Sequence, residues 1–194
     1  MSMELSEDFK RLHYLLEQAE ELQEEGDWQL AFLMWEKAHA LSKELNHLPS
    51  LAFTHAGLGS LLLDDEQYDM ALEHFEQALA LDEQLQNQDQ LIDDHNNIGS
   101  VYYLKGIPYQ AIRHFRLGIE IAEAIADPIK LAGCCWNLGM LYLDMKQAEQ
   151  ALPLIEQTYE LLKDAHQMEI IRQQQVKQAI RETRRLLGLP PYRF

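Results

Sequence analysis

The sequence has few cysteines, few basic residues and no long apolar run. Its two cysteines among 194 residues, Cys134 and Cys135, are adjacent, so they cannot form the disulfide framework of a small secreted protein. No stretch approaches the roughly 20 apolar residues that span a bilayer. The first eight residues are acidic and lack the apolar centre of a secretory signal. We therefore expect a cytoplasmic protein without membrane insertion.

Basic residues are outnumbered two to one. Lys and Arg total 16 against 32 Asp and Glu, which gives a formal net charge of −16. A field of this sign repels phosphate backbones, so we expect no nucleic-acid partner. The exception is the C-terminal end, where residues 172–194 hold six basic residues and one acidic residue.

Sequence motifs of catalysis are also missing. There is no Walker-type loop, nucleophile elbow or Gly-x-Gly-x-x-Gly sequence. Asp93, Asp94 and His95 are consecutive, and consecutive helical side chains point about 100° apart, so they cannot converge on one metal ion. The cysteines lack a second pair at zinc spacing. We expect no metal, no cofactor and no enzyme activity, and an enzyme is the least favoured class of function.

What the sequence does contain is a 40-residue repeat. Four alanines coincide in the repeat, and each is followed four residues later by a large apolar residue and preceded twelve residues earlier by a small one. The alanines are Ala31, Ala71, Ala111 and Ala151, the large residues are Trp35, Phe75, Phe115 and Ile155, and the small residues are Ala19, Gly59, Gly99 and Gly139. His55/His95 and His74/His114 keep the same spacing, which favours a structural role for them. Four copies at one period indicate a stacked array of similar units.

The sequence of each copy predicts two helices joined by a short turn. Apolar residues lie three and four apart, as in Ala111, Ile112, Phe115 and Ile119, and no segment alternates with period two, so we expect an all-α fold. A glycine inside a helix costs about 1 kcal/mol relative to alanine. Its recurrence at one position therefore predicts that the two helices of each copy cross closely there.

These residues resemble the tetratricopeptide repeat. The third copy shows it as Asn97-Ile98-Gly99, then Tyr102, Ala111 and Phe115, and the second as Leu58-Gly59, Leu62, Ala71, Phe75 and Ala78. The resemblance covers about residues 9–165. The period is 40 rather than 34, as in Rap-type regulators and cell-polarity adaptors. HEAT-like repeats share this length and are the alternative fold, although they lack the Gly/Ala pattern.

The resemblance implies an α-α superhelix of four helical hairpins with a capping helix, as a single domain spanning residues 1–194. The expected repeats are 7–46, 47–86, 87–126 and 127–165, followed by a capping helix over 166–187 and a tail over 188–194. Pro153 predicts a late start or a kink in the second helix of the fourth copy.

The resemblance also implies that the first helix of each hairpin lines a concave groove. The candidate groove residues are Phe53, Ser60, Asn96, Asn97, Ser100, Tyr103, Trp136, Asn137 and Met140. In relatives, an asparagine at the places of Asn97 and Asn137 holds the main chain of a bound peptide, and a carboxamide offers both a donor and an acceptor for that purpose. The alternative is that these asparagines only solvate a helix face and that Trp136 packs on its neighbour.

None of these groove positions is basic, and acidic residues surround them. The surrounding acids are Glu17, Glu20, Asp64, Asp93 and Asp144. We therefore expect a protein or peptide partner that is basic or amphipathic, bound by an adaptor or regulatory module. A further hypothesis places the capping helix, or the tail from Pro190 to Phe194, on an acidic groove.

The first copy carries apolar residues where later copies are polar. Leu33 and Met34 stand where the second and third copies have Glu73-His74 and Arg113-His114. An exposed apolar patch on a terminal repeat indicates a contact surface. A homodimer, or a structural protein that self-assembles through this apolar first repeat and the basic C-terminal helix, is therefore the alternative function. In another interpretation, residues Met1 to Leu5 fold back and cover this patch.

Overall fold

A computed structural model describes residues 7–163 and 170–194 of the chain. Within these residues all regular structure is helical, which confirms the all-α prediction. The helices are α1 Glu7–Glu25, α2 Trp28–Glu44, α3 Leu48–Asp64, α4 Tyr68–Leu85, α5 Gln88–Leu104, α6 Pro108–Ile125, α7 Pro128–Asp144, α8 Ala148–Leu162 and α9 Ile170–Leu186. The predicted capping helix corresponds to α9, although its expected first residues, 166–169, lie outside the described residues. The proposed cover from Met1 to Leu5 also lies outside them.

The helices begin at a constant interval. The second helices of the hairpins start at Trp28, Tyr68, Pro108 and Ala148, forty residues apart. The late start expected from Pro153 is therefore wrong, because α8 begins in register at Ala148 and continues through Pro153. The proline removes one amide donor from the helix, and the kink expected at this residue stays a prediction.

The links between helices share one backbone path. A residue with positive φ recurs every twenty residues, at Gly26, Asn46, Glu66, Gln86, Gly106, Ala126 and Lys146. At Gly26 the amide bonds back to Gln23 O, and the next amide, of Asp27, bonds to Leu22 O. The same two backbone bonds close each of the remaining links in this series. This is the Schellman termination, in which a left-handed residue satisfies the last carbonyls of the helix.

The chain divides into two compact units, Met1–Gln90 and Leu91–Phe194. Their charges differ sharply. The first unit holds 20 acidic and 4 basic residues, and the second holds 12 of each, so the first unit carries the whole net charge of −16. That the chain forms a single domain stays a prediction.

In the first unit, small residues of α3 lie against aromatic rings of the second helices. A Cβ placed on Gly57 would lie 2.5 Å from the Trp35 ring, and one on Gly59 would lie 2.8 Å from the Phe75 ring. Trp35 and Phe75 are almost fully buried. The glycines therefore let each ring approach the backbone of α3. The contact of Gly59 with Phe75 is the close crossing within one copy that the repeat predicts, whereas the contact of Gly57 with Trp35 joins successive copies.

The second unit repeats this packing. A Cβ on Gly99 would lie 2.6 Å from the Phe115 ring, and one on Gly118 would lie 2.9 Å from Cys134 Sγ.

Cys134 and Cys135 are buried, and burial raises the pKa of Cys134 to about 12 and that of Cys135 to about 11. Both thiols are therefore protonated packing groups at neutral pH, as the sequence indicated.

Candidate partner-binding face

In the first unit, two of the predicted groove residues line a cavity of about 440 Å³ between α1 and α3. Phe53 and Ser60 contribute from α3. The other lining residues are Glu20, Gln23 and Glu24 of α1, Trp28 and Trp35 of α2, and Gly57 of α3. We call this the α1/α3 cavity.

Gln23 organises the floor of the α1/α3 cavity. Trp35 Nε1 donates to Gln23 Oε1 at 3.0 Å, and Gln23 Nε2 donates to Ser60 Oγ at 3.2 Å. The Phe53 ring meets the Trp35 ring edge to face, with centroids 5.4 Å apart. Because the amide is held at both ends, the orientation of Gln23 is fixed. Sequence reasoning missed Gln23, since its role depends on a contact 37 positions away.

In the second unit, the predicted residues lie on α5 and α7, and polar side chains join the two helices. Asn137 Nδ2 donates to Asn96 Oδ1 at 3.0 Å. Tyr103 OH donates to Asp144, which raises the pKa of Tyr103. Hydrogen bonds between side chains of successive first helices therefore occupy part of the predicted groove.

Lys130 changes the electrostatics expected for this face. Its Nζ lies 2.8 Å from Asp93 Oδ2, so one of the acids predicted to surround the groove is paired. Asp144 accepts a hydrogen bond from the uncharged Tyr103 hydroxyl, which does not offset its charge. Because Asp93 is paired, the face in the second unit is less acidic than the sequence indicated.

The remaining groove candidates of the second unit differ in availability. Ser100 Oγ donates to Asn96 O of its own helix at 2.9 Å. Trp136 packs, half-buried, against the core that contains Leu138. Met140 is half-buried. The Asn97 carboxamide is also half-buried and makes no hydrogen bond with the described residues, so it has both a donor and an acceptor to offer. That these residues bind a ligand stays a prediction.

The apolar patch of the first hairpin differs in detail from the prediction. Leu33 is 41% exposed. Met34, however, is half-buried and packs against the core residues around Trp35 and Leu12, because its place on α2 faces α1 rather than solvent. The exposed apolar side chains nearby are Trp28, Leu30 and Phe32 of α2 and Met70 of α4. Trp28 and Phe32 are four residues apart on α2, so helical periodicity in the sequence would have placed them on one face.

The C-terminal tail packs on the last hairpin. Tyr192 OH donates to Glu160 Oε1 at 2.9 Å, and the Phe194 ring lies 5.3 Å from the Tyr159 ring. Lys177 and Arg181 of α9 lie over the Phe194 ring. The tail thus lies on α8 and α9 instead of the acidic groove that we hypothesised, since its aromatic rings find cationic partners on the neighbouring helix.

The repeated histidines form two hydrogen-bonded pairs. His55 Nδ1 lies 3.1 Å from His74 Nδ1, and His95 Nδ1 lies 3.2 Å from His114 Nδ1. Burial lowers the pKa of His55 and of His114 to about 4. His55 and His114 are therefore neutral at pH 7, and each shares a hydrogen bond between ring nitrogens with its partner. Among the described residues, no group of three His, Cys, Asp or Glu side chains is placed to hold a metal ion.

These features define a class of protein: a scaffold of repeated helical hairpins that presents side chains for recognition. Two segments of the sequence, residues 12–84 and 132–166, match the tetratricopeptide repeat family. The chain belongs to the tetratricopeptide repeat superfamily. Such repeats are protein–protein interaction modules, and their fold is generally a non-catalytic scaffold. No curated protein matches the sequence, and none of the described helices is long and apolar enough to cross a membrane.

Solved structures share the fold at low sequence identity. BtubC (BKLC) from P. vanneervenii aligns with a TM-score of 0.78 at 20% identity, over 88% of this chain and 70% of that one. A putative kinesin light chain from Podospora anserina with nearly identical TPR-like repeats gives 0.73 at 17% identity, over 95% and 90%. PilF from Pseudomonas aeruginosa gives 0.73 at 19% identity, over 93% and 71%. At these identities the likeness concerns the fold alone.

Proposed function

We propose that this protein is a cytoplasmic adaptor or regulator that binds a basic or amphipathic segment of another protein along the first helices of its hairpins. The observation that carries the proposal is the Asn97 carboxamide. It follows Asn96, the acceptor of the bond from Asn137, in the sequence of α5, and it has no hydrogen-bond partner among the described residues. A carboxamide in this position matches the donor and acceptor of one peptide unit.

The charge of the first unit supports the chemistry of the partner. With 20 acidic and 4 basic residues, that unit attracts a basic chain and accelerates its encounter. The second unit has no net charge, so amide groups and half-buried apolar side chains such as Met140 would provide the contacts there.

The test begins with partners captured from the source cell and identified, after which the bound segment is synthesised as a peptide. We expect Asn97→Ala/Asn137→Ala to weaken binding of that peptide at least tenfold, because two hydrogen bonds of about 1 kcal/mol each are lost. Gln110→Ala/Gln150→Ala is the matched control, since it removes two exposed amides from the second helices α6 and α8. Equal binding by wild type and the asparagine variant would contradict the proposal.

Self-assembly is the second candidate function. It is favoured by Trp28 and Phe32 of α2 and Met70 of α4, which are exposed and line one surface cavity, and by the exposed side chain of Leu33 on α2. Light scattering of the purified protein measures it without a partner. A dimer that becomes a monomer in Leu33→Glu would support this function, and a monomer at every concentration would exclude it.

A further inference from the structure

We propose that the α1/α3 cavity binds an arginine side chain of the partner segment. This inference rests on the proposed function and specifies the ligand chemistry of one subsite within it. The cavity volume of about 440 Å³ falls within the range of small-ligand sites. Its lining combines carboxylates with aromatic rings, which is the combination that recognises a guanidinium group.

Two carboxylates of the cavity have no cation beside them. Glu20 and Glu24 are four residues apart, so they lie on the same face of α1, and like charges at this spacing repel. Both are exposed, and neither forms an ion pair with a described residue. A cation bound between them would relieve this repulsion. Glu17 differs, because it already lies 3.2 Å from His13 Nε2.

Aromatic side chains form the other part of the lining. Trp28 is 50% exposed, and Phe53 and Trp35, which form an edge-to-face pair, also line the cavity. Tryptophan is the ring that binds cations best. Arginine fits this site better than lysine, because its planar guanidinium can stack on a ring while it donates two hydrogen bonds to a carboxylate.

None of the described residues that line the cavity is basic. The four basic residues of the first unit are Lys10, Arg11, Lys37 and Lys43, and none of them lines it. The floor is also prearranged, since Gln23 is held between Trp35 and Ser60. A site whose side chains are already positioned loses less entropy when a ligand binds.

The three tryptophans of the chain allow a direct test by NMR. The full-length protein is titrated with N-acetyl-arginine methylamide while the indole N–H signals are followed. We expect the signals of Trp28 and Trp35 to shift with one saturable binding curve. The signal of Trp136, which belongs to the other unit, should stay in place. The citrulline analogue has the same shape without the charge and should shift none of them.

Charge variants of α1 distinguish binding at the cavity from general attraction by the negative charge of the first unit. Glu20→Gln/Glu24→Gln should weaken binding of the arginine probe about tenfold, the sum of two partly exposed charge contacts. Glu21→Gln/Glu25→Gln removes the same charge from the same helix outside the cavity and should leave binding within twofold of wild type. An equal loss in both variants would overturn the inference, as would shifts that the citrulline analogue reproduces.

The outcome also distinguishes failure of the arginine-site inference from failure of the proposed function. If the probe moves neither cavity tryptophan while a partner peptide still binds in a manner that depends on Asn97, the arginine site is wrong and the proposed function stands. If the probe binds at the cavity but no partner segment requires Asn97 and Asn137, the proposed function is wrong and the cationic site stands alone.

Discussion

Replacing Gly99 with alanine should destabilise the protein, whereas the same change at Gly133 should stabilise it. Both glycines lie inside helices, so both substitutions gain about 1 kcal/mol of helix propensity. A Cβ on Gly99 would lie 2.6 Å from the Phe115 ring, whereas a Cβ on Gly133 would meet nothing within 4 Å. Phe115 is 1% exposed, so its ring cannot swing away into solvent.

The expected difference in the free energy of unfolding follows from helix propensity and from packing around the new methyl group. Forcing an extra methyl group into a packed core costs about 1–3 kcal/mol. Because the propensity gain is common to both sites, the free energies of unfolding of Gly99→Ala and Gly133→Ala should differ by about the same 1–3 kcal/mol. For a chain of this length, a difference of about 2 kcal/mol corresponds to about 4–8 °C in melting temperature.

Urea denaturation followed by circular dichroism measures this difference. A double-mutant cycle then shows whether Phe115 is its source. Phe115→Leu should cost less in the Gly99→Ala background than in wild type, with a coupling of at least about 0.5 kcal/mol. If Gly99→Ala is as stable as Gly133→Ala, or if the cycle shows no coupling, the close crossing of α5 and α6 does not explain the glycine.

Three further predictions concern a link, the histidines and the tail. Ala126→Gly should raise the free energy of unfolding by about 0.5–1 kcal/mol, because Ala126 has a φ of 58° that costs a non-glycine residue about 1–2 kcal/mol; urea denaturation measures it. Below pH 6.5 stability should fall towards pH 4, since His55 and His114 have folded pKa values of about 4 and the unfolded chain takes up the protons first. For each histidine, the free energy of unfolding changes by at most about 1.4 kcal/mol per pH unit, and the change is smaller here because both side chains are half-exposed. Melting temperatures measured across this pH range test the prediction. Phe194→Ala should lower stability by about 1 kcal/mol in urea denaturation, through loss of its contacts with Lys177 and Tyr159.

Each of these predictions has a matched control. Gly106→Ala makes the reverse change at a φ of 70° and should destabilise, so a gain there would contradict the account of the links. The variant His55→Gln/His114→Gln should show a flatter acid dependence, and an unchanged slope would assign that dependence to other groups. Leu189→Ala truncates a side chain that is as exposed as Phe194, at 42%; an equal loss would show that the aromatic contacts are not responsible.

The fold was predictable because it depends on residues that recur. Small residues such as Gly59 and Gly99 and rings such as Phe75 and Phe115 meet across a fixed separation along the chain, so self-comparison of the sequence finds both partners. The left-handed links were less visible. Gly26 fits its conformation, but glutamate, glutamine, alanine and lysine occupy equivalent places, because the Schellman bonds impose the conformation on residues that do not prefer it.

The candidate site was predictable only as a face. Helical register placed Asn96, Asn97 and Asn137 on the first helices, but it did not show that Asn96 and Asn137 bond to each other. Nor did it show that Gln23 joins Trp35 to Ser60. Such pairings depend on rotamers and on contacts about forty residues apart, and no periodic pattern in one sequence specifies them.

The constant spacing of the left-handed links also bears on how chains of this kind change length. A block of forty residues that begins after one left-handed position and ends at the equivalent position of the next hairpin carries two complete helices and both of their terminations. Duplicating or deleting such a block, for example the one from residue 47 to residue 86, joins two backbones that already follow the same course. New recognition surface can therefore be added in whole hairpins, with no new connection to invent.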